Sequence, residues 1–374
     1  MARTTVQIRV DTPLPVFQAY GTEEAVVFLD EPPREAMYVS IWGCLILLVL
    51  ATTGCRRCNS ELVQAWKVNE PRCRDLPSAC GPTQDQDCCD APLVPGGWFD
   101  KGPGPVYIRT ECPAFVSDFR LDRYEVTVGR FRRFVEAGVG TQENPPPACA
   151  GAHPRIAGSG WDPSWNRHLP ANKKELIAAL NCQRSTYGID GPTWTDALGP
   201  NESLPINCLD WYLLFAFCAW DGGRLPTATE WQYAAVGGSE QRRYPWGNNA
   251  PDSTYANYDP VHEVGHSCER QCNVAPVGSR SPKGDGKWGN ADLSGNIAEW
   301  TLDWCTDRLG SVPCLDCAQM KESGCTSFEP DRAERVIRGG VFSDHSYNIS
   351  SLFFFGVIPS DRAIGLGGRC AREP

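Results

Sequence analysis

DLSGNIAEWTLDW, running from Asp292 to Trp304, sets a carboxylate at Asp292, a glycine turn at Gly295 and a second carboxylate at Glu299 in one short loop. Such a loop folds its backbone over an ion and offers only oxygen donors. That suits calcium, which takes roughly six to eight oxygens in flexible geometry. The same residue types also build ordinary turns, for reasons unrelated to metal. After Glu299, large apolar Trp300, Leu302 and Trp304 alternate with Thr301 and Asp303, the pattern of a half-buried strand.

The 374 residues, 41% hydrophobic and 21% charged, suffice for one large globular domain with appendages. A net charge of -10 without any basic run argues against a nucleic-acid partner, because polyphosphate binding needs clustered Lys and Arg. Gly 36, Pro 31 and Trp 13 against Met 3 describe a loop-rich α+β fold whose loops are pinned by aromatic side chains. The cysteine content, Cys 19, implies disulfides and export to an oxidising space. The segment 37–54 agrees with export. Its apolar heart, Ile41 to Ala51, is short for a membrane span and suits the core of a signal peptide. It closes on small residues and Cys55, as a bacterial lipoprotein signal does, which makes Cys55 the lipidated residue. The expected location is the bacterial cell envelope, with membrane contact through the lipid anchor only. A short membrane anchor is the competing interpretation, and residues 1–36 are a disordered leader or an over-extended start.

Residues 55–112 carry Cys58, Cys73, Cys80, Cys88, Cys89 and Cys112 among Pro, Asp and Gly, a disulfide-held collar or tether whose pairing the spacing leaves open. The main domain is expected over 113–374. A strand near Phe119 leads to Thr127, which caps a helix with Val128, Phe131, Phe134 and Val135 on one face, a solvated arginine face opposite, and Gly138 at its end. Residues 139–204 form a long excursion with a short helix near Lys173 to Leu180, braced by Cys149 and Cys182. Trp211, Leu214, Phe215, Cys218 and Ala219 recur at helical spacing until Gly222 and Gly223, and Thr227 to Glu230 reads as a capping box opening a second helix to Val236. YPWGN, Tyr244 to Asn248, is an aromatic turn, and RVIRGGVF, Arg335 to Phe342, is a strand ending in a Gly-Gly turn.

Two further motifs bear on chemistry. HEVGH, His262 to His266, has the form of the zinc-peptidase H-E-x-x-H, which needs a helix to put both imidazoles on one face. Pro260, Gly265 and the absence of a helical apolar period oppose that context. Cys314 and Cys317 form a C-x-x-C flanked by Cys305 and Cys325, in an exported chain a disulfide motif before a zinc one.

Together DRYEVTVGRFRRFVEA, PINCLDWYLLFAFCAWDGGRLPTATEWQYAAVGG, YPWGN, APVGS, DLSGNIAEWTLDW, RVIRGG and the terminal GRCAR resemble the formylglycine-generating enzyme (sulfatase-modifying factor) family, in the family's order over roughly residues 113–373. The resemblance implies that family's variant of the C-type lectin fold, held by disulfides and calcium. It implies two structural calcium sites. One has Asp292 and Glu299 as side-chain ligands with the Gly295 and Ile297 carbonyls. The other has Asn257, the Tyr258 carbonyl, Glu269 and the Gln271 carbonyl. It also implies a disulfide between Cys218 and Cys370. The family's enzymes hold copper(I) between two cysteine thiolates and use oxygen to convert a sulfatase cysteine to formylglycine. This chain has Asp344 and Ile349 at those positions, with further departures at Val341, Gly368 and Ala235. Soft copper(I) needs sulfur, so copper is not expected.

The lost cysteine pair and the export signal favour a calcium-stabilised, lipid-anchored binding module for a protein or glycan ligand. The alternative is a divergent formylglycine-generating or other metal-dependent oxidase of the same family acting on a protein cysteine. A zinc peptidase built on HEVGH comes third.

Overall fold

The computed structural model describes residues 60–66, 79–102, 112–182, 191–259, 273–306, 313–324 and 333–374. The segment 37–54, Cys55, His262 to His266, Glu269 and Gln271 lie outside the described residues. In chain order the elements are α1 (Ser60–Trp66), β1 (Leu93–Val94), β2 (Gly97–Asp100), β3 (Pro113–Val116), β4 (Phe119–Leu121), α2 (Val128–Ala137), α3 (Lys173–Ala179), α4 (Trp211–Trp220), α5 (Ala228–Val236), β5 (Ala298–Trp304), β6 (Cys314–Leu315), β7 (Arg335–Arg338), β8 (Phe354–Val357), β9 (Leu366–Gly367) and β10 (Ala371–Arg372). The strands are short and form small sheets in the orders β1-β4-β10, β2-β3-β6 and β8-β7-β5-β9. Strands β1 and β2 precede residue 113, yet they pair with β4 and β3. The cysteine-rich segment is therefore partly built into the domain, and its Cys80–Cys88 bridge closes a loop there.

Helix α2 starts where expected, the Thr127 hydroxyl accepting from the Arg130 N–H at 3.2 Å, and ends at Gly138 with φ 66°. Arg133 keeps to the solvated face, but Arg130 and Arg132 do not, contrary to the sequence expectation. Arg130 is 2% exposed and pairs with Asp122 at 2.9 Å and Asp221 at 2.8 Å. Arg132 reaches Glu202 at 2.5 Å and lies over the Trp194 ring at 4.5 Å. Those partners come from other elements, so helical periodicity alone cannot reveal them. The carboxylates let a guanidinium be buried without stranding its charge.

Helix α4, WYLLFAFCAW, is buried on every side. Asp210 caps it by accepting from the Leu213 N–H at 2.8 Å. Around it the main core gathers Phe131, Phe134, Trp161, Trp300 and Leu302. The Cys218–Cys370 bridge ties this helix to the C-terminal strand across 152 residues. In the chain-entropy model a loop of that length contributes about 4 to 5 kcal/mol. In the 139–204 excursion, Cys182 pairs with Cys208.

Helix α5 opens with the expected capping box. Glu230 does more than cap. Its carboxylate accepts from the Thr227 N–H at 2.9 Å, from Arg224 at 2.7 and 2.6 Å, and lies 3.3 Å from His153 Nε2. The capping box thereby anchors the 139–204 excursion. Strand β5 was expected to be half-buried, but it is buried on both faces from Ala298 to Asp303. It lies between antiparallel β7 and parallel β9, and covered on both sides it becomes the spine of its sheet.

Burial alone would raise the Glu230 pKa, but Arg224 and the His153 hydrogen bond outweigh it and hold the carboxyl well below its ordinary value of 4.5. A depressed folded-state pKa adds stability above the unfolded value, lost as pH falls through the folded one. Glu230→Gln should therefore cost about 3 kcal/mol near neutral pH. The gap to wild type should narrow as pH drops below 4.5. Urea unfolding at a series of pH values measures this, and a gap constant with pH would contradict it.

Candidate functional site

The 292–299 loop folds over a buried cluster of charge. Glu299 is fully buried and held by Arg369, whose Nε donates to its two oxygens at 3.0 and 2.8 Å and whose Nη2 donates at 2.8 Å. Trp231 Nε1 donates to Glu299 Oε2 at 2.8 Å. The other Arg369 hydrogens go to the carbonyls of Asp122 at 3.1 Å, Arg123 at 2.9 Å and Ala291 at 2.7 Å. Glu125 is likewise fully buried, accepting from Asn296 Nδ2 at 2.6 Å and the Ile297 N–H at 3.2 Å. Asp292 sits at φ 56° and accepts from the Gly278 N–H at 2.5 Å.

Three carboxylates thus face one guanidinium, and among the described residues only Glu299 is ion-paired with it. Burial, then the charges of Asp292 and Glu299, push Glu125 well above the usual carboxylate range. Burial likewise pushes Asp292 up to about 6, against the opposing Gly278 hydrogen bond and Arg369. Buried carboxylates with raised pKa values are short of positive charge, which a proton or a bound cation supplies. The donor set is all oxygen, as a hard cation requires. Among the described residues no three His, Cys, Asp or Glu side chains converge as a metal-binding group, so a cation here would draw on backbone carbonyls as well.

Asn257, from the second expected calcium site, lies directly against this loop. Its carbonyl accepts from the Asn296 N–H at 2.8 Å, and its Nδ2 donates to Asn296 Oδ1 at 3.1 Å and to the Asn273 carbonyl at 2.8 Å. A Cβ at Gly295 would stand 2.2 Å from the Asn257 carbonyl oxygen, so this approach requires glycine. Tyr258 donates its hydroxyl to the Pro251 carbonyl at 2.9 Å.

The 339–349 turn is the neighbour on the other side. Gly295 N donates to the Gly339 carbonyl at 2.8 Å, Phe342 N to the Asn296 carbonyl at 2.9 Å, and Ser294 Oγ to the Ile349 carbonyl at 2.7 Å. Ile349 is fully buried in a cluster with Tyr244 and Ala256. Asp344 caps its own turn, accepting from the Val341 N–H at 2.9 Å and from Asn348 Nδ2 at 3.0 Å. The residues at these two positions do not fit copper(I). One is a core hydrocarbon and the other a hard carboxylate already engaged within its turn.

Sequence reasoning passed over three members of the cluster: Glu125, Asn296 and Arg369. Glu125 sits in a strand-like run where its neighbours suggest only alternation, and Asn296 is a turn residue by type. Arg369 carried a signal, a cation placed between Gly368 and disulfide-bonded Cys370. Replacing it strands the buried carboxylates. Arg369→Met should cost about 3 to 5 kcal/mol in urea unfolding, and Arg369→Lys should recover little because an ammonium lacks the fork that serves Glu299 and three carbonyls together. Wild-type stability in the Lys variant would refute the hub role.

The model of the sulfatase-modifying factor enzyme 1-like domain matches residues 78–374. The formylglycine-generating enzyme of Thermomonospora curvata is 28% identical over 313 residues, covering 75% of this chain and 92% of that protein. The mouse protein named inactive C-alpha-formylglycine-generating enzyme 2 is 34% identical over 219 residues, covering 56% of this chain and 67% of its own length. Among solved structures, PvdO from Pseudomonas aeruginosa aligns with a TM-score of 0.48 and 19% identity, covering 75% of this chain and 93% of that one. With the sulfatase-modifying factor enzyme 1-like domain matched over most of its length, the chain belongs to the sulfatase-modifying factor family of formylglycine-generating enzymes, as a divergent member with the family's loop-rich variant of the C-type lectin fold.

Proposed function

We propose that this chain is an exported, lipid-anchored and calcium-stabilised binding module of its family, without copper oxidase chemistry, presenting its surface to a protein or glycan ligand. The observation that carries this is Ile349, packed into the core where a thiolate is required, beside an Asp344 carboxylate already taken by Val341 and Asn348. The surface around this turn favours contact over chemistry. Tyr347, Leu352 and Phe355 are 62%, 48% and 52% exposed, and Tyr347 packs edge-on against Phe353 at 5.7 Å. Aromatic side chains of this kind offer large contact area to protein or sugar faces. The mouse relative carries the word inactive in its name, and the loss proposed here is of the same kind.

Incubated with copper, oxygen and a cysteine-bearing sulfatase peptide, the purified protein should form no aldehyde above background by peptide mass. Turnover would overturn the proposal.

The calcium part rests on the uncompensated charge of Glu125 and Asp292 beside Arg369 and Glu299. By the family resemblance the ligands are Asp292 and Glu299 with the Gly295 and Ile297 carbonyls, the ion displacing part of the Arg369 and Trp231 donor set that holds both Glu299 oxygens, and for a second ion Asn257, Tyr258, Glu269 and Gln271. Chelation should lower Tm by about 5 °C or more and restored calcium should reverse it. Asp292→Ala should remove most of the shift. A Tm indifferent to both treatments would dismiss calcium.

A further inference from the structure

The C-x-x-C motif remains outside everything assigned so far. Cys314 and Cys317 are bridged to each other across three residues. Restriction of the unfolded chain grows with loop length, so this bridge does far less for stability than Cys218–Cys370, which spans 152 residues. Its local constraint is also duplicated. Between the two cysteines, Asp316 donates its N–H to the Phe115 carbonyl at 2.9 Å and accepts from the N–H and hydroxyl of Ser117, both at 2.7 Å. Strand β6 is further held by its pairing with β3. The turn is fixed without the sulfur bond, so the two sulfurs stay juxtaposed whether or not it is closed.

The surroundings suit exchange. Cys314 is buried while Cys317 is partly exposed, so Cys317 is the more accessible of the two. The Thr229 hydroxyl, in the first turn of α5, lies 3.9 Å from Cys317 Sγ. In the same turn the Ala228 N–H is already taken by Asp303 at 2.7 Å. Beside the motif runs an apolar row. Trp98 pairs with Phe115 and Phe115 with Leu315 across three strands, the Trp98 and Phe115 rings are 5.4 Å apart, and Trp98 and Leu315 are 52% and 61% exposed. Leu315 belongs to the C-x-x-C itself, so a polypeptide lying on this row meets the sulfurs.

We propose that Cys314–Cys317 is a redox-active disulfide that exchanges with cysteine pairs of polypeptide substrates docked on the Trp98–Phe115–Leu315 row. A substrate thiolate attacks Cys317 Sγ. The Cys314–Cys317 bond breaks, its electron pair leaves on Cys314 Sγ, which takes a proton from solvent, and a mixed disulfide forms on Cys317. The substrate's second thiolate then attacks its own sulfur in that mixed disulfide and releases the Cys317 thiolate. The substrate dithiol ends oxidised to a disulfide and the motif reduced to two thiols, with the reverse direction serving to reduce or reshuffle substrate bridges.

The test equilibrates the full oxidised chain with graded glutathione mixtures, quenches by alkylation and reads each cysteine by mass. Cys314–Cys317 should open at a thiol-to-disulfide ratio at least about tenfold lower than Cys218–Cys370 requires. Cys314→Ser should accumulate glutathione on Cys317. Wild type should oxidise a reduced two-cysteine peptide with apolar flanks, and Cys317→Ser should not. Trp98→Lys should slow the peptide reaction about tenfold and leave glutathione exchange unchanged. Opening together with or after Cys218–Cys370, or peptide oxidation that survives Cys317→Ser, overturns the proposal. Equal rates for the Trp98 variant and wild type with peptide overturn the docking row. The glutathione titration uses the unaltered chain, so it decides the matter even if a variant fails to fold.

Discussion

The bidentate pair of Arg369 with Glu299, sealed from water, is the interaction on which the loop architecture depends. One guanidinium spends its donors on the carboxylate and on the carbonyls of Asp122, Arg123 and Ala291, so segments far apart in sequence share one anchor. A charge buried this way tolerates no loss of its partner. That intolerance makes the loop geometry specific where regular secondary structure is too sparse to do so. Glu299 lies on β5 and Arg369 adjoins both β10 and the Cys218–Cys370 bridge, so the covalent tie and the ion pair act on the same stretch of chain.

The same device recurs away from the loop. Arg130 and Arg372 share Asp122 and Asp221, all buried, and join α2, β10 and the end of α4. Arg224 and His153 meet on Glu230. In a domain with two-residue strands, backbone ladders cannot satisfy most buried carbonyls, and multidentate arginines take over part of that work. The aromatic content serves the same end by filling the space between loops. Trp246 is stacked between Tyr244 and Tyr255, each 5.0 Å away, in the YPWGN turn.

Much of this was legible in the sequence where a signal is local. The Thr127 caps of α2 and the Thr227–Glu230 box of α5, the Gly138 terminus, the short helix near Lys173 and the stop after Trp220 depend on residues within a turn or so of each other, and the chain folds as they dictate. What escaped notice depends on remote partners. Arg130 and Arg132 look like a wet helix face until Asp221 and Glu202 arrive from elsewhere, and β5 looks half-exposed until β7 and β9 cover it. The candidate site divides in the same way. Asp292 and Glu299 announce themselves by spacing and Arg369 by its place beside Cys370, whereas Glu125 is recognisable only once the fold brings it beneath the same loop.

The contact between Asn257 and the glycine loop links the two places where calcium ions are proposed. The Asn257 carbonyl holds the Asn296 amide, and the Asn296 side chain in turn holds Glu125. Whatever draws Asn257 outward also loosens the donor that stabilises the Glu125 carboxylate. Were the two proposed ions to bind, this link would couple their affinities, and by thermodynamic reciprocity the influence would be equal in both directions. Under the proposal of two calcium ions, the loops would fill together, and a gradual dependence on ion concentration would steepen.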